Sequence, residues 1–252
     1  MSFLIYPTPV KMAPIQGMTG FGGGATSLST WVDPVSYVYG SVDFPDSGTN
    51  YLSTDSLDDA FDLGSTNWTI EFWWLAEDGA NRNNHGHFIG GDIAGSAAYL
   101  AYRDTGHEDF QANWPSSNEI WSVTSCDTST WCHFAFSKNG TGSGNTTLYK
   151  NGTAGNTSTV SNSLGAWDGT QRLGNAPSPW TTQNVRGKVS NFRVSNVARY
   201  TSDFTAPTNP FVADGNTVLL TMQSPTDITF CGAGSITGTT GSVTASSSHP
   251  WE

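Results

Sequence analysis

Glu71, Glu77, Glu108, Asp109, His85 and His87 are the side chains whose types and spacing first invite chemistry. Two carboxyl groups facing each other about 5 Å apart can cleave a glycosidic bond, one as nucleophile and one as acid. Glu71 and Glu77 stand six apart on an apolar segment, and Glu71 alternates with Ile70 and Phe72, so it faces away from them. The pattern predicts a half-exposed strand residue with a hydrogen-bond or ion-pair partner rather than a catalytic acid. Glu108 and Asp109 are adjacent, which on a strand would point them apart, and they read as a loop. His85-Gly86-His87 spaces two imidazoles as a metal-binding strand would, but no Cys or His lies at a zinc spacing from them. They too read as a surface loop. Gly22-Gly23-Gly24 and Gly90-Gly91-Asp92 lack the following helix that a phosphate cradle needs.

Sugar binding asks for an aromatic platform beside amides. Trp114, Trp121 and Trp180 fall at strand ends or in loops, and Asn175 lies close before Trp180 in Asn175-Ala176-Pro177-Ser178-Pro179-Trp180. Trp180 is the best single candidate. The competing expectation is that these tryptophans plug the ends of the fold or make subunit contacts.

The elements that would position these residues are short strands. Trp68 to Trp74 alternates, with Trp68, Ile70, Phe72 and Trp74 on one face. Ala98–Arg103 and Trp131–Ser137 alternate likewise, and Thr147–Lys150 runs into Asn151-Gly152, a strong hairpin signal. Val189–Val194 and Thr217–Met222 supply later strands. The one helical candidate, Ser56–Phe61, is a turn or so long. No internal repeat is present. The expected class is an all-β, antiparallel β-sandwich of jelly-roll type.

Composition agrees. The 252 residues contain 12% charged and 12% aromatic residues, 28 Gly and a net charge of -11. Helical bundles need far more Lys, Glu, Ala and Leu. An acidic chain with 10 Lys and Arg offers little to a phosphate backbone, so no nucleic-acid partner is expected. No apolar run is long enough for a membrane-spanning helix, so no membrane association is expected. The start of the chain does not read as a secretory signal. Free thiols are accordingly expected at Cys126, Cys132 and Cys231, although Cys126 and Cys132 are close enough to pair across a turn. The five Asn-x-Ser/Thr sequons, at Asn67, Asn139, Asn145, Asn151 and Asn156, read as composition alone.

Three regions emerge. Residues 1–40 are rich in Pro and Gly yet carry Phe3, Leu4, Ile5, Tyr6, Met12, Ile15, Met18 and Phe21, which predicts an extended arm docked on a partner. Residues 41–222 form the sandwich. Residues 223–252, with Gly232-Ala233-Gly234-Ser235-Ile236-Thr237-Gly238-Thr239-Thr240-Gly241-Ser242, predict a flexible tail or one laid along a partner.

Several ordered motifs resemble one family. Gly48-Thr49-Asn50-Tyr51-Leu52-Ser53, Phe61-Asp62-Leu63-Gly64 and Trp68-Thr69-Ile70-Glu71-Phe72-Trp73 resemble the opening of the laminin-G-like, concanavalin A-like lectin/glucanase sandwich. Trp131-Cys132-His133-Phe134-Ala135, Leu148-Tyr149-Lys150-Asn151-Gly152-Thr153 and Gly187-Lys188-Val189-Ser190-Asn191-Phe192-Arg193-Val194 are similar to three of its later strands. The run from Ala198 to Pro210, with Tyr200, Thr201, Phe204, Thr205 and Pro207, resembles an ending frequent in copies carried by tailed bacteriophages. The resemblance spans about 42–222.

It implies the concanavalin A-like fold; such domains often hold a Ca²⁺ on the rim, and Asp92 and Asp104 are the nearest rim-like acids here, but the expectation is no cofactor, with Ca²⁺ the open alternative. Glycosidases of this sandwich carry an E-x-D-x-x-E strand, which this chain lacks. The resemblance therefore implies a non-enzymatic virion accessory protein. The first choice is a capsid decoration or cement protein at the virion surface, self-associating, for instance as a trimer, and contacting major capsid or tail proteins. The alternatives are a tail adhesin binding a host glycan and, last, a glycoside hydrolase.

Overall fold

The computed structural model describes residues 39–45, 48–57, 67–77, 86–93, 96–103, 109–114, 117–122, 130–160, 168–176 and 183–252. Of the predicted arm, residues 1–40, all but Tyr39 and Gly40 lie outside the described residues.

Two antiparallel sheets stack face to face, as the alternating patterns predict. The first contains β1 (Ser41–Phe44), β3 (Trp68–Ala76), β8 (Cys132–Lys138), β9 (Thr146–Lys150), β10 (Thr153–Ser158), β12 (Gly187–Ser195), β13 (Thr217–Thr221), β14 (Cys231–Ala233) and β16 (Thr244–Ser246). The second contains β2 (Tyr51–Thr54), β4 (Gly86–Ile93), β5 (Ser96–Arg103), β6 (Asp109–Trp114), β7 (Ser117–Ser122), β11 (Asp168–Leu173) and β15 (Gly238–Thr240). No helix occurs among the described residues, and Ser56–Leu57 is a turn.

The core between the sheets is aromatic. Phe72 lies at its centre, stacked on Phe88 at 4.3 Å and on Phe192 at 5.7 Å, with Phe110, Phe134 and Phe136 around it. Ring pairs in such geometries add to the gain from area burial alone. Asn151 and Gly152 make the predicted hairpin turn with φ of 50° and 83°. The second position needs Gly for another reason as well. A Cβ there would meet the Phe204 carbonyl oxygen at 1.9 Å.

Two expectations about this body change. The alternation of β3 predicts one dry face, yet Thr69, Glu71 and Trp73 on its other face are buried too. A strap following β12 causes this. Tyr200 and Phe204 stack at 3.7 Å and, with Phe211, lie against the outer surface of the first sheet around His133. The run from Ala198 to Pro210 thus covers this sheet.

The tail is not a loose appendage. β14 pairs with β13, β15 extends the second sheet beside β2, and β16 extends the first beside β1. Ser235 donates to Ser56, Thr237 to the Ser53 carbonyl and Ser242 to Asn50, while Val243 is buried. Short Gly/Ser/Thr strands hold because their backbone groups complete existing sheet edges, which asks little of their side chains.

Cys132 corrects the free-thiol expectation. It is disulfide-bonded, whereas Cys231 is free; Cys126 lies outside the described residues.

Candidate functional site

Glu71 is the residue on which the chemistry turns. A bulge in β12 decides its surroundings. Ser190 pairs with Trp73 and Arg193 with Glu71, so Asn191 and Phe192 together oppose Phe72. Asn191 adopts φ 54°, which resets the alternation: Phe192 enters the core and Arg193 turns out beside Glu71. The Asn191 amide oxygen accepts from Phe211 N at 2.8 Å and from Gln223 Nε2 at 2.7 Å, pinning the strap that closes the site.

Both oxygens of Glu71 are engaged. Arg193 donates to Oε1 from Nε at 2.8 Å and from its terminal nitrogen at 2.7 Å. The Tyr200 hydroxyl donates to Oε2 at 2.8 Å, and His133 Nε2 lies 3.3 Å from the same atom. His133 Nδ1 is buried without a partner, so Nε2, the ring nitrogen facing the carboxylate, is the one that carries a proton. Arg199 stands 3.8 Å from Oε1 and forks onto exposed Asp214 at 2.8 and 3.0 Å. The Arg193 guanidinium also lies 4.2 Å over the Phe211 ring.

Glu71 is 0% exposed, not half-exposed as expected, although the predicted ion-pair partner is there. Burial alone would raise its pKa, but hydrogen bonding from His133, the Arg193 charge and the Tyr200 hydroxyl together hold it below the usual carboxylate value. The same burial and the Glu71 charge push the Tyr200 phenol far up. The carboxylate is held in its ionised form, and both its oxygens carry donors. It has no lone pair facing solvent with which to attack or protonate a substrate. Nothing in the spacing of Arg193, Arg199 and Tyr200 ties them to Glu71, because the strap brings two of them from outside any strand.

The remaining candidates separate. Asp109 is not in a loop: it opens β6 and forms a fork with Arg103, both contacts 2.7 Å. Glu108 and His85 lie outside the described residues. His87 is buried, not on a surface loop, with Nδ1 2.9 Å from the Gln183 carbonyl and its ring edge-on to Tyr99 at 4.5 Å.

Trp121 corrects the sugar-platform expectation. It is 0% exposed in the core against Phe136, its indole N–H donating to the Thr146 carbonyl at 3.3 Å. Asn175 is also 0% exposed. Its amide donates to Asn184, whose oxygen also accepts from Asn50 N and whose amide donates to the Gly48 carbonyl. The Asn50, Asn175 and Asn184 side chains therefore fasten loops to one another rather than facing a ligand. Trp114 stands at the end of β6, its side chain outside what is described, and Trp180 lies outside the described residues.

For Ca²⁺, Asp92 sits within β4 as the register partner of Ala97 and Asp168. Asp104 lies outside the described residues. Among those described, no three His, Cys, Asp or Glu side chains gather around a common point, so no step is derived through a cation.

Comparison with known structures returns this sandwich repeatedly. A Bacteroides ovatus protein proposed to bind carbohydrate superposes with a TM-score of 0.58 at 17% identity, over 85% of this chain and 62% of that one. The extracellular region of zebrafish Gpr126 gives 0.52 at 20% identity, over 71% and 24% of the two chains. A heptameric SAP-like pentraxin from Limulus polyphemus gives 0.50 at 15% identity, over 73% and 95%. This chain thus spans about three fifths of the first of these. At such identities the likeness is one of fold. Comparison with curated protein sequences returns no match. The laminin-G family model described as the concanavalin A-like lectin/glucanases superfamily matches residues 46–203, from the first turn of the sandwich into the strap, and the chain belongs to that family.

Proposed function

We propose that the chain is a non-enzymatic accessory protein of a tailed-bacteriophage particle, a capsid decoration protein that is anchored through residues 1–40 and presents its lectin-like sandwich outward. The observation that carries the non-enzymatic part is the state of Glu71: fully buried, with both oxygens bound by Arg193, His133 and Tyr200. Glycoside hydrolysis needs two carboxyl groups flanking a bond in a cleft that a saccharide can enter. The carboxylate on the central strand is instead part of the fold. The virion part is supported by the likeness of the Ala198–Pro210 strap to phage-borne copies and by the apolar residues Phe3, Leu4, Ile5, Tyr6, Met12, Ile15, Met18 and Phe21 of the arm.

Deletion of residues 1–24 tests it. The truncated protein is expected to keep its cooperative melt and to lose co-sedimentation with expanded capsids of the cognate phage. Retained co-sedimentation overturns the anchoring role.

A second reading, recognition of a host glycan, is favoured by the family fold and by its Bacteroides neighbour proposed to bind carbohydrate. A glycan array probed with the full chain tests it, and an array without hits counts against it.

A further inference from the structure

We propose that Tyr39, His249 and Trp251 form a binding platform for a neutral hexopyranose unit of a surface polysaccharide, a proposal that rests on the glycan-binding reading and gives it a location. The three rings make a triangle. Tyr39 and His249 are 5.1 Å apart, Tyr39 and Trp251 6.2 Å, and His249 and Trp251 6.2 Å with planes only 29° apart. Most large apolar side chains of the sandwich are buried, but Tyr39 is 39% exposed, and His249 and Trp251 are partly exposed beside it. An exposed aromatic group of this kind is the usual mark of a recognition surface. Tyr and Trp suit it because they offer rigid contact area at little conformational cost.

The platform is built, not incidental. The Trp251 indole N–H donates to the Pro207 carbonyl at 3.0 Å, and the ring stands edge-on to buried Trp73 at 5.8 Å. Glu252 Oε1 closes the turn beneath it, accepting from the Ser248 hydroxyl at 2.6 Å and the His249 amide at 3.0 Å. The Ser41 hydroxyl ties this turn to β1 through the Ser248 carbonyl at 2.8 Å.

The polar groups around it match a sugar. Trp251 N donates to His249 Nδ1 at 3.2 Å, so Nδ1 is an acceptor and the neutral ring holds its proton on Nε2. That nitrogen is a donor, and the exposed Glu252, bonded to the His249 amide, brings a carboxylate acceptor next to it. Such a pairing of apolar area with a few polar groups is how small-ligand sites fix orientation.

The ligand is neutral for two reasons. Lys188 is already shared by Asp43 at 3.3 Å and Glu77 at 4.0 Å, and with Glu252 nearby the carboxylates outnumber it, which disfavours an anion. Rings with centroids this close also leave no gap between their faces for a cation, so the cluster is a surface rather than a cage.

The test is a glycan array of hexose-containing oligosaccharides on the full chain, followed by calorimetric titration of the best hit. Tyr39→Ala, Trp251→Phe and Trp180→Ala are titrated alongside wild type, each after a melting curve. Affinities are compared at a temperature where the melting curve shows each variant folded, and Trp251→Phe keeps an aromatic ring against Trp73. Binding weakened by about tenfold in Tyr39→Ala and in Trp251→Phe, the loss of one ring contact each, supports the platform. Wild-type affinity in both variants overturns the location while glycan recognition stands, most plainly where Trp180→Ala abolishes binding. A wild-type protein that binds no glycan on the array overturns both.

Discussion

Replacing Glu71 by Gln keeps the shape of the side chain and removes its charge, and the structure sets the expected damage. Arg199 retains its fork with Asp214, so its charge stays paired. Arg193 does not: its carboxylate partner is Glu71, at 2.7 and 2.8 Å, and it sits 8% exposed under the Phe211 ring. Breaking a buried pair by removing one partner costs about 3–5 kcal/mol, because a charge is left in a poorly solvated place. Gln still accepts from Tyr200, which puts the variant at the lower end, about 3 kcal/mol. For a domain of this size that is a fall in Tm of roughly 6–12 °C. Differential scanning calorimetry at pH 7 reads it directly. The double variant Glu71→Gln/Arg193→Met removes both charges and should recover more than about 1 kcal/mol of the loss.

The pH dependence has a definite sign. The folded-state pKa of Glu71 lies below its unfolded value of about 4.3. Its stabilisation is therefore complete above that value. It declines as pH falls toward the folded pKa, because the unfolded chain takes up the proton first. The gap between wild type and Glu71→Gln should accordingly narrow below about pH 4. A variant that melts within about 1 °C of wild type refutes the structural role and returns Glu71 to the list of groups free for chemistry.

Gly152→Ala forces a side chain onto φ 83° and onto the Phe204 carbonyl, and should cost roughly 2 kcal/mol or more in urea unfolding; an unchanged midpoint contradicts the docking of the strap on this turn. In hydrogen exchange, the amides of Thr239 and Ala245 should be protected like those of their partners Leu52 and Val42, and random-coil rates there would undo the assignment of the tail to the sandwich. Peptide mapping without reduction should recover Cys132 in a disulfide-linked pair and Cys231 as the alkylated thiol. Cys231 should label slowly, since burial pushes its thiol pKa up; fast labelling at pH 7, or alkylated Cys132, contradicts this.

Alternation is a local signal, and where the structure depends on it the sequence is a good guide. Trp68 to Trp74 shows its core face, and Asn151-Gly152 shows its turn, because pleat and left-handed backbone are properties of a few consecutive residues. Alternation says which side of a strand a residue takes, not what lies over that side. Alternation therefore puts Glu71 on the correct face and in the wrong environment. Trp121 and Asn175 show the same gap. A tryptophan or amide near a strand end reads alike whether it faces a ligand or the interior, and only packing turned these two inward. The tail escapes a reading by pattern for another reason. Its strands have no apolar period, since their stability comes from backbone bonds to edges that other segments supply.

From the chain of residues alone follow an all-β class, the strand-forming segments, the hairpin at Asn151-Gly152 and the membership of a sandwich family, all carried by short-range patterns and by motif order. Tertiary structure alone decided that a bulge at Asn191 turns Arg193 onto Glu71, that the Tyr200 strap seals them, that the Gly/Ser/Thr tail completes both sheets, and that Tyr39 meets His249 and Trp251. Each of these joins residues more than a hundred positions apart. No local preference encodes such contacts, and they exist because closing the sandwich leaves one compatible place for each segment.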